Sequence, residues 1–337
     1  MKVTTLSIDL AKSIFQVCGT NKAGSAVFNK QVRRNQLLNM VLKYPEAEVV
    51  MEACCGSNYW GRLFISHGYN VKLIPPQHVK PFVRGNKNDR NDAFAIAEAS
   101  RRPDMLFVQP RSVEATDIAV LHRVRDRRKT SLIRLSNQIR GLLSEYGIVL
   151  PQGINTLRCN IPLLLEDADN GLSVLMRTEL QNIYDEWLML ESLIKQQDKA
   201  IERHAKSDDR TSLLMTIKGI GPMTSTALVG VMGSPVHYRN GRHFASSLGL
   251  TPSEHSSGGK QRLGRITKRG NTYIRRLLVQ CAMSHIRHLK NNSDALSCWL
   301  RRLKERRGVQ VAAIALANKL ARISWAVLQK QQPYQMA

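Results

Sequence analysis

Four carboxylates occupy positions from which strands and a helix could aim them at one point: Asp9, Glu52, Asp89 and Asp92. The surrounding chain is poor in acid, with 26 Asp and Glu against 50 Lys and Arg. Asp9 lies in the apolar strand-like run Val3 to Leu10, and Glu52 closes the run Glu48-Val49-Val50-Met51-Glu52. Asp89 and Asp92 are three apart at the start of a helical pattern, so they share a face. Clustered carboxylates repel and raise one another's pKa unless a hard cation fills the gap. One or two Mg²⁺ ions acting on a phosphodiester are the usual occupants of such a cluster. Aspartates at helix starts also serve as caps, so spacing alone leaves the cap and metal readings both open.

Two further segments could touch a phosphate. Ile217-Lys218-Gly219-Ile220-Gly221-Pro222 lies between two helical patterns and resembles a helix-hairpin-helix turn, in which backbone N–H groups near Gly219 and Gly221 can hold a phosphate. A ligand-free αα-turn reads the same way. The second is the loop Pro252-Ser253-Glu254-His255-Ser256-Ser257-Gly258-Gly259, which opens into Lys260, Arg262, Arg265, Lys268, Arg269, Arg275 and Arg276. A Ser-Gly loop alone would be an ordinary flexible connection. Beside dense positive charge, however, a serine hydroxyl could be activated and the phosphate it attacks held in place. His255 is close enough in sequence to be considered as a base, although a loop histidine is usually a surface residue.

The elements that would position these groups fall into three stretches. Residues 1–108 alternate in an α/β manner, with a hairpin from Val3 to Leu10 and Ile14 to Gly19, strands at 47–54 and 69–74, and helices at 56–67 and 89–101. Acids at strand ends and on the following helix suggest a ribonuclease-H-like layer. Residues 109–205 carry two apolar stripes, Leu121, Val124, Leu132, Leu135, Ile139, Leu142 and Leu172, Leu175, Leu180, Ile183, Trp187, Leu190, Ile194. Pro151, Gly153, Pro162 and Gly171 mark a loop between them. Such a pair makes either an intramolecular hairpin or a coiled-coil dimer arm. Residues 206–337 form a mostly helical third domain.

Charge narrows the partner. The chain of 337 residues has a net charge of +24. Between Arg239 and Gly308 stand 16 Lys and Arg against three acids, over half of that excess, which favours phosphate contact over a solvated face. No run approaches the roughly 18 uncharged apolar residues that span a bilayer. The N-terminus lacks the features of a secretion signal, and six cysteines without C-x-x-C spacing read as reduced thiols in a cytoplasmic protein.

Taken in order, Ser7-Ile8-Asp9-Leu10-Ala11-Lys12, Met51-Glu52-Ala53-Cys54, Asn88-Asp89-Arg90-Asn91-Asp92-Ala93, Ile220-Gly221-Pro222-Met223-Thr224-Ser225, Phe244 to Pro252, Ser257-Gly258 and Lys268-Arg269-Gly270-Asn271 resemble the DEDD-type transposases of bacterial insertion sequences, the 110/1111 group described as bridge-RNA-guided recombinases. The resemblance spans nearly the whole chain. It implies a resolvase-like N-terminal domain, a coiled-coil arm and a C-terminal transposase domain. It further implies that Asp9, Glu52, Asp89 and Asp92 bind Mg²⁺ and that Ser257, with Ser256 in reserve, becomes joined to DNA. The implied partners are donor and target DNA, a noncoding guide RNA and further copies of the chain, as a dimer or tetramer, in the bacterial cytoplasm at the nucleoid. Two rival readings use the same residues: a metal-dependent junction nuclease that needs no serine, and a non-catalytic nucleic-acid-binding protein in which the acids are structural.

Overall fold

The computed structural model describes residues 1–85, 88–289 and 294–335. The chain divides into two compact units, 1–114 and 115–337. Residue 205, where a further division was expected, lies inside the helix Val174–Ser207 of the second unit.

The first unit is built on a five-stranded sheet in the order β3-β2-β1-β4-β5. β1 (Thr5–Asp9), β2 (Ile14–Thr20) and β3 (Ala26–Arg33) form an antiparallel meander, while β4 (Glu48–Glu52) and β5 (Val71–Ile74) run parallel to β1. The parallel strands are connected through α1 (Leu37–Val41) and α2 (Ser57–Ser66), and α3 (Pro76–Val79) and α4 (Asp89–Ser100) follow β5. Leu6, Ile8, Val49 and Met51 are fully buried with Phe15, Val17 and Phe64 in one core, while Val50 and Ile74 face a second core completed by Ala95, Ile96 and Ala99 of α4. Opposite faces of the same strands are thus both covered, which explains why β1 and β4 read as continuous apolar runs. β3 was not legible in the sequence. It is an edge strand with mostly exposed or half-exposed residues, so it lacks an apolar signature.

In the second unit α5 (Val113–Ser144) and α7 (Val174–Ser207) pack with α6 (Ile154–Glu166) around Leu132, Ile139, Leu157, Ile161, Leu180 and Trp187. The stripes therefore bury against each other within one chain. Two expectations fail here. Leu175 is 72% exposed, its place in the stripe being taken by Met176. The segment expected as a loop contains α6, with Pro162 inside it. Proline removes the donor to the carbonyl four residues earlier. That carbonyl, of Arg158, accepts instead from the Tyr184 hydroxyl at 3.2 Å, so the helix tolerates the proline.

The remaining helices share one core: α8 (Asp209–Met215), α9 (Pro222–Met232), α10 (Gly241–Ser247), α11 (Thr272–Arg287) and α12 (Ala295–Lys330). A two-stranded hairpin, β6 (Pro252–Glu254) and β7 (Leu263–Ile266), stands between α10 and α11 in the chain. α12 has the length and mean hydropathy of a membrane span, although Lys319 and Arg322 interrupt its apolar run. Its apolar residues, among them Leu316, Leu320 and Leu328, are core residues of this unit.

Candidate functional site

The four carboxylates are carried by two paired strands and one helix. β1 and β4 pair in parallel with Ile8 opposite Met51, so Asp9 and Glu52 end adjacent strands at the same edge. α4 begins over that edge. Its N-cap is Asn88, whose side chain accepts from the Asn91 backbone N–H at 2.9 Å, which places Asp89 and Asp92 in the first turn, where the helix dipole favours negative charge. Capping is thus done by Asn88, leaving both aspartates without that structural duty. The fully buried Ser7 hydroxyl donates to the carbonyl of Ala93 at 2.7 Å, fixing the residue after Asp92 to the strand that carries Asp9. On the other side Asn29 of β3 donates to the Arg90 carbonyl at 2.9 Å.

Electrostatics point to the same edge. The Cys54 thiol is pushed up to about 11, first by burial and then by the negative charges of Glu52 and Asp9. Two carboxylates therefore act on one spot beside the strand ends. A donor set made only of carboxylate oxygens on rigid elements suits a hard divalent cation such as Mg²⁺. Among the described residues, no three of the four carboxylates have oxygens all within 4.8 Å of one another. An open cleft of about 530 Å³ adjoins Asp89 and is lined by Gln16, Asn29, Lys30, Gln31, Asn88 and Arg90. Nothing in the sequence announced that cleft, because its lining comes from β2, β3 and α4.

The serine loop is the tip of the β6–β7 hairpin. Gly258 and Gly259 both have positive φ, 57° and 73°, and Lys260 N–H bonds Ser257 C=O at 3.1 Å, so Ser257-Gly258-Gly259-Lys260 is a tight two-glycine turn. Ser257 is exposed at its first corner. Ser256 differs: its hydroxyl donates to Glu254 at 2.6 Å and accepts from the Arg262 N–H at 3.0 Å. The Glu254–Ser256 pair was not singled out from sequence, where three intervening or adjacent polar residues gave no reason to prefer it. His255 is exposed, and its backbone N–H bonds the Arg262 carbonyl.

The base of the hairpin is clamped by backbone contact. A Cβ on Gly249 would lie 2.0 Å from the Arg269 carbonyl oxygen, and one on Gly270 would lie 1.9 Å from that of Ser247. Lys268 takes a left-handed conformation, φ 55°, uncommon for a residue with a side chain. Lys260, Arg262, Arg265, Lys268 and Arg269 are all exposed. Arg275 departs from the expected phosphate role: it is buried, donating to the carbonyls of Leu248 (2.8 Å) and Arg269 (3.3 Å) and to the Thr272 hydroxyl. It holds the hairpin's flanks together. Arg276 is half-exposed, pairs with Asp126 and lies over the Tyr273 ring. Lys290, counted in the basic tract, lies outside the described residues.

Gly219 and Gly221 sit in the short connection between α8 and α9. Gly219, at φ +91°, needs glycine; Gly221 is extended and serves as the N-cap of α9, its carbonyl accepting from Thr224 and Ser225. Behind this turn is a polar network that sequence reasoning missed. Buried His122 of α5 bonds the Tyr273 hydroxyl (2.9 Å) and the Thr226 hydroxyl (3.0 Å), tying α5 to α9 and α11. Burial, with lesser help from the charges of Arg125 and His204, drives its pKa down to about 4, so it is neutral at pH 7.

Two family profiles match separate parts of the chain. A family profile described as a transposase, of the DEDD type of the IS110 group, matches residues 6–148, and another described as "Transposase IS116/IS110/IS902 family" matches residues 211–297. The chain is 40% identical to the transposase for insertion sequence element IS1111A of Coxiella burnetii, covering 98% of this chain and 91% of that protein. It is 39% identical to a probable family 20 transposase of Pseudomonas aeruginosa over 99% of both chains. A pilin gene-inverting protein of Moraxella bovis is 22% identical over 99% of this chain and 98% of its own.

Proposed function

Because the chain belongs to the IS116/IS110/IS902 family of insertion-sequence transposases, we propose that it cuts and rejoins DNA with a Mg²⁺-binding carboxylate site and a serine nucleophile, directed by a noncoding guide RNA. The observation carrying this reading is the placement of four carboxylates on two adjacent strand ends and the first turn of one helix, with capping assigned to Asn88. The strand order, an antiparallel meander extended by two parallel strands, supports a ribonuclease-H-like sheet. The turn between α8 and α9 supports a helix-hairpin-helix contact to a phosphate at Gly219 and Gly221.

In this reading Asp9, Glu52, Asp89 and Asp92 hold the cation, which would offset charge building on the scissile phosphate. Ser257 supplies the nucleophile, since its hydroxyl stands exposed at a turn corner while that of Ser256 is engaged twice. Its Oγ forms a bond to phosphorus, and the P–O bond to one flanking deoxyribose breaks. The serine proton leaves, and the departing oxygen takes one up as a hydroxyl. Rejoining is the reverse step with a different deoxyribose hydroxyl as attacker, which restores the serine. Lys260, Arg262 and Arg265 keep the phosphate in place by charge-assisted hydrogen bonds. The carboxylates and the serine serve the same strand exchange, in an assembly of copies that is a dimer or tetramer. Donor and target DNA, the guide RNA and a cytoplasmic, nucleoid-associated location complete the proposal.

One contact favours a second reading of the nucleophile. Glu254 accepts from Ser256 and could take its proton, which would make Ser256 the attacking residue. Denaturing electrophoresis of labelled element-end DNA after incubation with protein, guide RNA and Mg²⁺ separates the cases. The proposal expects a protein-linked strand that disappears in Ser257→Ala and Asp92→Asn. Loss in Ser256→Ala with retention in Ser257→Ala moves the chemistry by one residue. Free nicked ends and no adduct would replace it by a metal-dependent nuclease.

A further inference from the structure

Helix α12 is two helices in series. It rests on the core at both ends, through Leu300 before the junction and from Ala312 onward after it, while from Arg301 to Val311 no residue is fully buried and only Leu303 leans on the core. At the junction Gly308 has φ 81° and ψ 168°, a backbone conformation open essentially only to glycine. No atom lies within 4 Å of where its Cβ would be, so glycine is required by the backbone and not by crowding. The bend frees the preceding turns from following the axis of the core half.

Those turns read Arg301-Arg302-Leu303-Lys304-Glu305-Arg306-Arg307, five cations against one acid. Arg301 is engaged, donating to the Leu289 carbonyl at 3.1 Å. The side chains of Arg302, Lys304, Arg306 and Arg307 make no ion pair or hydrogen bond among the described residues. Arg302 and Arg306 are four apart and Lys304 and Arg307 three apart, so each pair sets like charges on one face, which opposes helix formation. With only Leu303 leaning on the core, a segment of this length gains little from burial and is marginal as a helix in water. Both facts are relieved by a polyanion.

The angular placement specifies which polyanion. At about 100° per residue, Arg302 and Arg306 project from one side of the helix and Lys304 and Arg307 from the other. A helix with cations on two opposed sides fits between two phosphate walls. The major groove of B-DNA, about 12 Å wide, admits an α-helix, whereas that of A-form RNA is too deep and narrow. We propose that Arg302–Arg307 is a DNA-binding element separate from the serine hairpin, lying in the major groove of duplex DNA with Arg302 and Arg306 on one phosphate strand and Lys304 and Arg307 on the other. The element needs neither the carboxylates nor Ser257.

The test is the salt dependence of binding to a duplex DNA of arbitrary sequence and to a duplex RNA of the same sequence, using the full chain and the variant Arg302→Gln/Lys304→Gln/Arg306→Gln/Arg307→Gln. All four side chains are exposed and their like charges oppose the helix, so the thermal midpoint should not fall. Each lost phosphate contact lowers the magnitude of the log–log slope by about 0.9, so the DNA slope should fall by up to about 3.6 while the RNA slope stays near that of the parent. The same DNA loss is expected in an Asp92→Asn, Ser257→Ala background, where strand joining is already abolished, so failure here and failure of the catalytic proposal are read separately. An unchanged DNA slope overturns the inference, as does a loss confined to the RNA duplex.

Discussion

The two regions that carry the candidate chemistry are built on opposite principles. The carboxylates stand on β1, β4 and the first turn of α4, elements locked by parallel pairing, by Asn88 and by the buried Ser7 hydroxyl. Ser257 stands at the tip of a two-stranded hairpin whose own side chains are almost all exposed. Cation ligands must converge within a few tenths of an ångström, which rigid elements achieve. A group that must reach an incoming strand gains from a surface loop on a fixed base. Here the fixed base is the backbone clamp at Gly249 and Gly270 with the buried Arg275.

The largest break in this comparison comes from the rigid region. Asp9→Asn or Asp92→Asn should abolish DNA cleavage, a loss of at least about a thousandfold, with the thermal midpoint unchanged; full cleavage by Asp92→Asn would remove the carboxylates from the chemistry. Changing the clamp tests the other region. Gly270→Ala places a methyl 1.9 Å from a carbonyl oxygen at a positive φ, and should cost about 3 kcal/mol or more in urea unfolding of the C-terminal unit. Unaltered stability would show that the hairpin base is soft.

A pH series sharpens the contrast, because the second unit has a buried histidine behind its turn. The pKa of His122 is lowered to about 4, below that of a free histidine, so the unfolded chain binds the proton more readily. Its contribution is complete above pH 6.5 and is lost as pH falls toward 4, reaching about 2 kcal/mol at pH 5. In His122→Gln, urea unfolding should lose that part of the decline between pH 7 and 5. Parallel declines in parent and variant would place the sensitivity elsewhere. The smallest effect belongs to the hairpin surface: Arg265→Ala with Lys268→Ala should lower the salt slope of duplex DNA binding by about 1.8, and no change would mean that these side chains face only solvent.

How much of this was legible depended on range along the chain. Asp9, Glu52 and the pair Asp89 and Asp92 could be read because each sits in a strongly patterned local segment. β3 could not, since an edge strand need not be apolar, and neither could α6, whose Pro162 is accommodated only because Tyr184 arrives from α7. Arg275 and Arg276 are adjacent and chemically alike, yet one is buried on carbonyls and the other pairs with Asp126 at the surface.

The sequence by itself determined the excess of positive charge, the apolar strands that end in acids, the two long amphipathic helices and the Ser-Gly loop, because composition, periodicity and turn residues act over a few neighbours. Tertiary structure alone decided which serine is engaged and which is exposed, which arginines face solvent, where His122 finds its partners and that α12 breaks at Gly308. These depend on atoms brought together from distant parts of the chain. Burial and hydrogen bonding, unlike pattern, are properties of the packed whole.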